Sequence, residues 1–314
     1  MDDPLVTVTR TQGNNRALKD GLVSSANFQL EFHDVPVLVN AFRSMVRDLA
    51  YDVCEMAVTT YLVAKAHGKP FTALPVFLVR GFHHGAIVVR AGGEIRHPKD
   101  LENRRVGVNR GYTVTTGVWA RGVLHDEYGV DLDSITWVLS GDEHVSEYQP
   151  PPNVVTLSRG ETLEDLVATG ELAGAIGIEA HGDRFEPLIP HAGEAGYAAL
   201  TARGYYPINH LIVVRDDLLA AHPDLAADLF QAFAASKRLY VQNLRTGDID
   251  APSAVDVMHA RVMELTGNDP LPYGIEPNEA ILEDLLRQAR GQRILDTTPK
   301  VSDLFAAGTH DLLG

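Results

Sequence analysis

The chain has 314 residues, of which 45% are hydrophobic and 22% charged, and it carries a formal net charge of −15. That length permits one large domain or two of ordinary size, with ample apolar content for a core. The acidic balance argues against nucleic acid and against an anionic membrane surface, since both require a basic face.

The predicted elements alternate between strand and helix. Leu5 to Arg10 reads as a first strand, and Val37 to Ala50 has apolar residues at helical spacing (Leu38, Phe42, Met45, Val46, Leu49). Asp52 to Met56 reads as a short strand. It is followed by a helix that opens near Thr59-Thr60 and closes before Gly68-Lys69-Pro70. "GFHHGAIVVR" (81–90) reads as a strand headed by two histidines, because Ile87, Val88 and Val89 are β-branched and Gly92-Gly93 follows. In a strand, His83 and His84 would face opposite sides and could not share one site.

The middle of the chain repeats this grammar. Pro98 to Leu101 is a helical turn, Arg104 to Val108 a strand, Tyr112-Thr113 a loop and Val114 to Tyr128 a helix. "GDEHVSEYQPPPNV" (141–154) is a polar, proline-rich loop. Strands at Val154 to Leu157 and Ala173 to Ile178 flank a helix from Thr162 to Thr169 that Gly170 ends. Ile208 to Val214 is a strand. A long helix follows with Pro223 in its first turn, and the C-terminal third stays helical. Alternation of this kind marks an α/β protein.

No basic n-region or apolar h-region opens the chain and no apolar run reaches the span of a bilayer, so a cytoplasmic protein is expected. The lone Cys54 excludes an intrachain disulfide and a cysteine-rich zinc site, and it is expected in the core. There is no nucleotide-binding glycine motif, no G-x-S-x-G elbow and no H-E-x-x-H. No cofactor is implied. None of the 13 histidines stands at metal-ligand spacing, and a metal site built from distant partners stays open.

Three strand-to-helix junctions have the composition of anion sites: Glu55–Thr60 (EMAVTT), Asn109–Thr116 (NRGYTVTT) and Gly177–His181 (GIEAH). Plain capping by threonine is the alternative at each. Arg10, Arg16, Arg80 and Arg110 are the candidate guanidinium groups for an anion in an otherwise acidic chain, a solvated surface charge being the alternative for each. His210, after Asn209, stands inside an apolar strand, where a hydrogen-bonded structural histidine is the alternative to a functional one.

Several stretches together resemble the 4,5-dihydroxyphthalate decarboxylase family. They are "YDVCEMAVTTYLVAKAHGKPFTALPVFLVRGFHHGAIVVR", "PKDLENRRVGV", "VTTGVWARGVLHDEYGV" and "YYPINHLIVVRDDLL", and the resemblance runs from about residue 10 to about residue 240. It implies the two-lobed α/β fold of type II periplasmic binding proteins, with mixed or parallel sheets flanked by helices and a cleft between lobes. The lobes would be 1–92 with 205–314, and an inserted 93–204. The family's D-V-x-E-M lands on Asp52, Val53, Glu55 and Met56, its F-x-H on Phe82 and His84, and its P-I-x-H on Pro207, Ile208 and His210. Its R-x-L-x-D-G stretch resembles Arg16 to Gly21, while Asn14 and Asn15 depart from the acidic–aromatic pair that precedes it.

The resemblance implies decarboxylation of a hydroxylated phthalate-type acid without a cofactor, with His84, His210 and Glu55 catalytic. Arg16, Arg10, Arg80, Thr59, Arg110, Tyr112, Thr115, Thr116 and Asn209 would bind a small anionic aromatic substrate. Two other readings use the same scaffold: a solute-binding protein that delivers a small carboxylate to a transporter, and an enzyme of another reaction. The sequence leaves assembly into a homo-oligomer open.

Overall fold

The computed structural model describes residues 3–179 and 182–314. Eleven strands are present among the described residues: β1 (Leu5–Val8), β2 (Leu30–Phe32), β3 (Val53–Ala57), β4 (Phe71–Arg80), β5 (Ile87–Arg90), β6 (Arg105–Val108), β7 (Thr136–Leu139), β8 (Val154–Thr156), β9 (Gly174–Ile176), β10 (Phe185–Pro187) and β11 (Ile208–Arg215). The helices are α1 (Gly13–Lys19), α2 (Leu38–Asp48), α3 (Val58–Ala66), α4 (Thr115–Tyr128), α5 (Leu163–Thr169), α6 (Ala192–Arg203), α7 (Asp216–Ala221), α8 (Leu225–Thr246), α9 (Ala254–Thr266) and α10 (Glu279–Gly291). The chain divides into unit 1 (Met1–Arg80, Ile208–Glu283, Pro299–Gly314) and unit 2 (Gly81–Pro207, Asp284–Thr298). Segment 81–92 thus groups with unit 2, and a second piece of unit 2 comes from near the C-terminus.

Unit 1 is built on a five-stranded sheet of order β2-β1-β3-β11-β4, in which β1 pairs in parallel with β2 and β3 while β11 runs antiparallel to both its neighbours. β3 (VCEMA) is buried along its whole length, as a strand hydrogen-bonded on both edges and covered on both faces must be. α2 buries Leu38, Ala41, Phe42, Met45 and Val46, the apolar stripe that its spacing predicts.

Unit 2 holds a six-stranded sheet of order β10-β5-β9-β6-β7-β8. β9, β6, β7 and β8 are parallel; β5 runs antiparallel to β9, and β10 pairs antiparallel with β5 at the edge. Trp119 on α4 and Trp137 on β7 are fully buried. α5 is capped as its sequence announces: Thr162 accepts the Asp165 N–H at 3.1 Å, and Gly170 closes it in the left-handed conformation (φ 84°).

Two expectations need correction. The ten-residue strand is β4, FTALPVFLVR, which was not predicted; it carries Pro75, and a proline fits there because β4 is the edge of its sheet. Residues 81–90 are not one strand. His84–Ala86 form a 3₁₀ turn and only Ile87–Arg90 are β, so the alternation argument does not apply to His83 and His84. Both are buried.

Candidate active site

Glu55 is the middle residue of β3, and its side chain is sealed from solvent. The ladder places Ile212 opposite Glu55. His210, two residues along β11, therefore projects from the same face of the sheet as Glu55. The pairing of β11 with β4 slips around His210, and a bulge of this kind re-aims a side chain. As a result His210 Nδ1–H donates to Glu55 Oε1 at 2.6 Å, while Glu55 Oε2 accepts the Arg10 backbone N–H at 2.8 Å. A carboxylate only accepts, so this contact sets the proton of neutral His210 on Nδ1 and leaves the Nε2 lone pair outward. Nε2 has no protein partner among the described residues. Phe42 packs edge-on against the ring with centroids 5.2 Å apart.

The segment after β1 is pinned by two residues that sequence reading treated only as a departure. Asn15 Nδ2–H donates to the Arg10 carbonyl at 2.8 Å and its Oδ1 accepts the Gln12 N–H at 2.8 Å; Asn14 Nδ2–H donates to the Leu78 carbonyl at 2.9 Å. Both asparagines are buried. They hold Arg10 in place, and an asparagine three residues into a helix is a capping signal that could have been read. Arg10 and Arg16 are exposed and meet in one groove of about 760 Å³, whose walls also include Tyr240, Asn243 and Asp256. Glu55 and His210 are not in that wall.

Thr59 and Thr60 are buried at the start of α3, which follows β3 with no intervening loop. Arg80 is buried and donates from Nη1 to Asn278 Oδ1 at 2.8 Å. Asn209 is half-buried beside His210.

In unit 2, His84 lies fully buried, and its Nε2 meets both Glu127 oxygens at 3.1 Å; Arg203 pairs with Oε1 of the same carboxylate. Tyr205 stands edge-on to the His84 ring. Burial first, and then the adjacent His84, push the His83 imidazole down to about 3, so His83 is neutral near neutral pH. At the junction before α4, Arg110 adopts φ 72° and its N–H donates to Ser140 Oγ at 2.8 Å. Tyr112 and Thr115 are buried and Thr116 is half-buried. The Tyr112 and Thr113 N–H groups and the Thr113 hydroxyl all donate to the Glu143 carboxylate. Glu143 belongs to the polar 141–154 loop, thirty residues away, and no local pattern announced it. Of the third junction, Asn109 Nδ2–H reaches the Gly177 carbonyl at 2.8 Å, while Ala180 and His181 lie outside the described residues.

The arrangement thus joins Glu55, His210 and the Arg10 backbone in unit 1, and Arg10 with Arg16 in one groove. It places His84 with Glu127 in unit 2. Among the described residues no three His, Cys, Asp or Glu side chains gather as a metal-ligand set, and no helix is long and apolar enough to cross a membrane.

No family model matches the chain. Among solved structures it is similar to the alkanesulfonate-binding protein SsuA of Xanthomonas axonopodis pv. citri (TM-score 0.51, 14% identity, 96% of each chain). It is also similar to a Candida albicans protein with the generic periplasmic binding protein fold (TM-score 0.55, 15% identity, 95% of this chain and 92% of that one). A third is the desulfurization enzyme DSZB (TM-score 0.52, 15% identity, 97% of this chain and 96% of that one). These likenesses establish the periplasmic-binding-protein-like α/β fold, which binding proteins and an enzyme share, and so do not choose between them. Among curated proteins, the chain is 34% identical to a Pseudomonas putida 4,5-dihydroxyphthalate decarboxylase over 43% of its length and 55% of that protein. It is 32% identical to a Comamonas testosteroni 4,5-dihydroxyphthalate decarboxylase over 82% of its length and 83% of the relative. The chain belongs to the 4,5-dihydroxyphthalate decarboxylase family.

Proposed function

We propose that this protein is a carboxy-lyase that converts 4,5-dihydroxyphthalate, or a close hydroxylated analogue, to the corresponding monoacid (protocatechuate) and CO2. Expelling CO2 from an aromatic ring requires the electrons of the breaking C–C bond to have somewhere to go. Protonation of the carboxylate-bearing carbon and loss of the proton from the para hydroxyl give a cyclohexadienone with a tetrahedral carbon. The C–CO2 bond then breaks, its electron pair restores the aromatic phenolate, and the phenolate takes up a proton. One proton is consumed overall.

The observation that carries the assignment of roles is the His210–Glu55 pair. His210 Nε2 is the atom free to give and take a proton, and buried Glu55 fixes the tautomer and ring orientation. Glu55 has both oxygens engaged and acts as a positioning residue. His84, whose Nε2 is committed to Glu127, is assigned to holding unit 2 rather than to proton transfer. Arg10, whose backbone N–H is bound to Glu55, and Arg16 beside it in the groove are the guanidinium groups of unit 1 suited to one substrate carboxylate. The substrate is a small anionic aromatic acid, and the reading places the enzyme in the cytoplasm. A solute-binding role would leave the His210–Glu55 pair without a task.

Incubating chelator-treated protein with 4,5-dihydroxyphthalate and a panel of hydroxybenzoates, while following CO2 and ring absorbance, tests the reading. Turnover of a dihydroxyphthalate supports it. Tight binding of such acids without CO2 release moves the protein to the binding class.

A further inference from the structure

The turn at 111–113, just before α4, forms a seat for a carboxylate, and the chain itself fills it. Two backbone N–H groups and one hydroxyl converge on Glu143. A methyl group at Gly111 would lie 2.6–2.9 Å from the Glu143 carboxylate atoms, so the turn leaves room for that carboxylate only because residue 111 has no side chain. Behind the seat lies Arg121, in the second turn of α4 and fully buried. Its guanidinium stacks on the Tyr112 ring (3.9 Å to the centroid), donates from Nη2 to the Tyr112 carbonyl at 2.7 Å, and donates from Nε to Gln292 at 2.7 Å. Its Nη1 has no hydrogen-bond partner among the described residues, and it lies against Gly117 in the first turn of α4.

A buried cation with an idle donor is expensive unless an anion completes it. Glu143 reaches the outer donors and favours the Arg121 charge through space, but it makes no hydrogen bond to the guanidinium. We infer that the 111–113 turn, backed by Arg121, is a binding site for a small free carboxylate, and that Glu143 is a resident competitor which the incoming carboxylate displaces. Glu143 is half-exposed and sits early in an irregular, polar loop between β7 and β8, so its withdrawal disturbs no ladder or helix. A free anion, not tethered to a backbone, can settle where a side chain stops short. That this carboxylate belongs to an aromatic diacid rests on the function proposed above; the seat itself does not.

The test compares wild-type protein, Glu143→Ala and the double variant Gly111→Ala/Glu143→Ala, using acetate and benzoate in thermal melts and phthalate in calorimetry. Glu143→Ala should melt below wild type and recover several degrees with millimolar acetate or benzoate, while wild type and the double variant stay unmoved. Phthalate should bind Glu143→Ala about tenfold more tightly than wild type, as expected if the seat is open in about a tenth of molecules. No response of Glu143→Ala to small carboxylates, or an equal response in the double variant, overturns the seat. A response to acetate with no phthalate binding in any variant keeps the seat and counts instead against the dicarboxylate reading. Should Glu143→Ala not fold, Glu143→Gln keeps the shape of the side chain and must show tighter phthalate binding; weaker or unchanged binding overturns the proposal.

Discussion

In unit 1 the sealed member of the histidine–glutamate pair is the acid, and in unit 2 it is the imidazole. Glu55 is 0% exposed and His210 16%, whereas His84 is 0% exposed and Glu127 23%. The same two residue types are therefore wired in opposite senses. Where the carboxylate is buried, one oxygen holds its histidine and the other the Arg10 backbone N–H, and the imidazole keeps its second nitrogen unbonded among the described residues. Where the imidazole is buried, it holds the glutamate. Burial works to raise the Glu127 carboxyl, and the His84 hydrogen bond with Arg203 outweighs it, so Glu127 stays ionised below its ordinary range. On the function proposed above, the sealed partner is the fixture in each pair, and only in unit 1 does the accessible partner, His210, exchange a proton.

Replacing each histidine separately breaks or confirms this contrast. His210→Asn should lower turnover by about 10²- to 10⁴-fold, the usual worth of a positioned acid–base group, with an unchanged melting temperature within a few degrees. His84→Asn should do the reverse, leaving turnover per folded molecule near wild type while costing about 1–3 kcal/mol of stability through the buried polar groups it unpairs. Equal kinetic losses in both would dissolve the distinction. Glu55→Gln comes next. Its amide can still accept from His210, but its NH2 cannot accept from Arg10, so kcat should fall on the order of tenfold to a hundredfold with little change in KM.

Acid should expose the cost of the buried imidazoles. His83 is pushed down to about 3 and His259 to about 4, in each case first by burial. The unfolded chain then takes up these protons before the folded one does. Their contribution is complete above about pH 6.5 and is lost as pH falls toward those values. Between about pH 7 and pH 5 each should cost the protein about 2 kcal/mol, and in melts across that range His83→Gln should flatten the decline. The smallest effect belongs to the groove. Arg16→Ala should raise KM roughly tenfold with kcat held, as loss of one charge-assisted contact does.

Elements governed by local pattern were legible in the sequence. α5 has its Thr162 cap and terminal Gly170, α2 its apolar stripe, and the β3–α3 junction its strand followed by two threonines. β4 was hidden because Pro75 argues against a strand unless the strand is known to be an edge, and edges are a property of the assembled sheet. The histidine pair was misread because four β-residues after a 3₁₀ turn look like one longer apolar run. At the site, Glu55 and His210 could each be singled out through the family resemblance, yet 155 residues separate them. Only the β3–β11 register shows that they face the same way. Glu143 meets the α4 turn through a contact across about thirty residues of irregular chain, which no periodicity encodes.

The most direct test of the central claim is CO2 release from 4,5-dihydroxyphthalate by wild-type, His210→Asn and His84→Asn proteins of verified fold. The account predicts turnover by wild type, a loss of at least about a hundredfold in His210→Asn, and near wild-type turnover in His84→Asn. Full turnover by His210→Asn would contradict it.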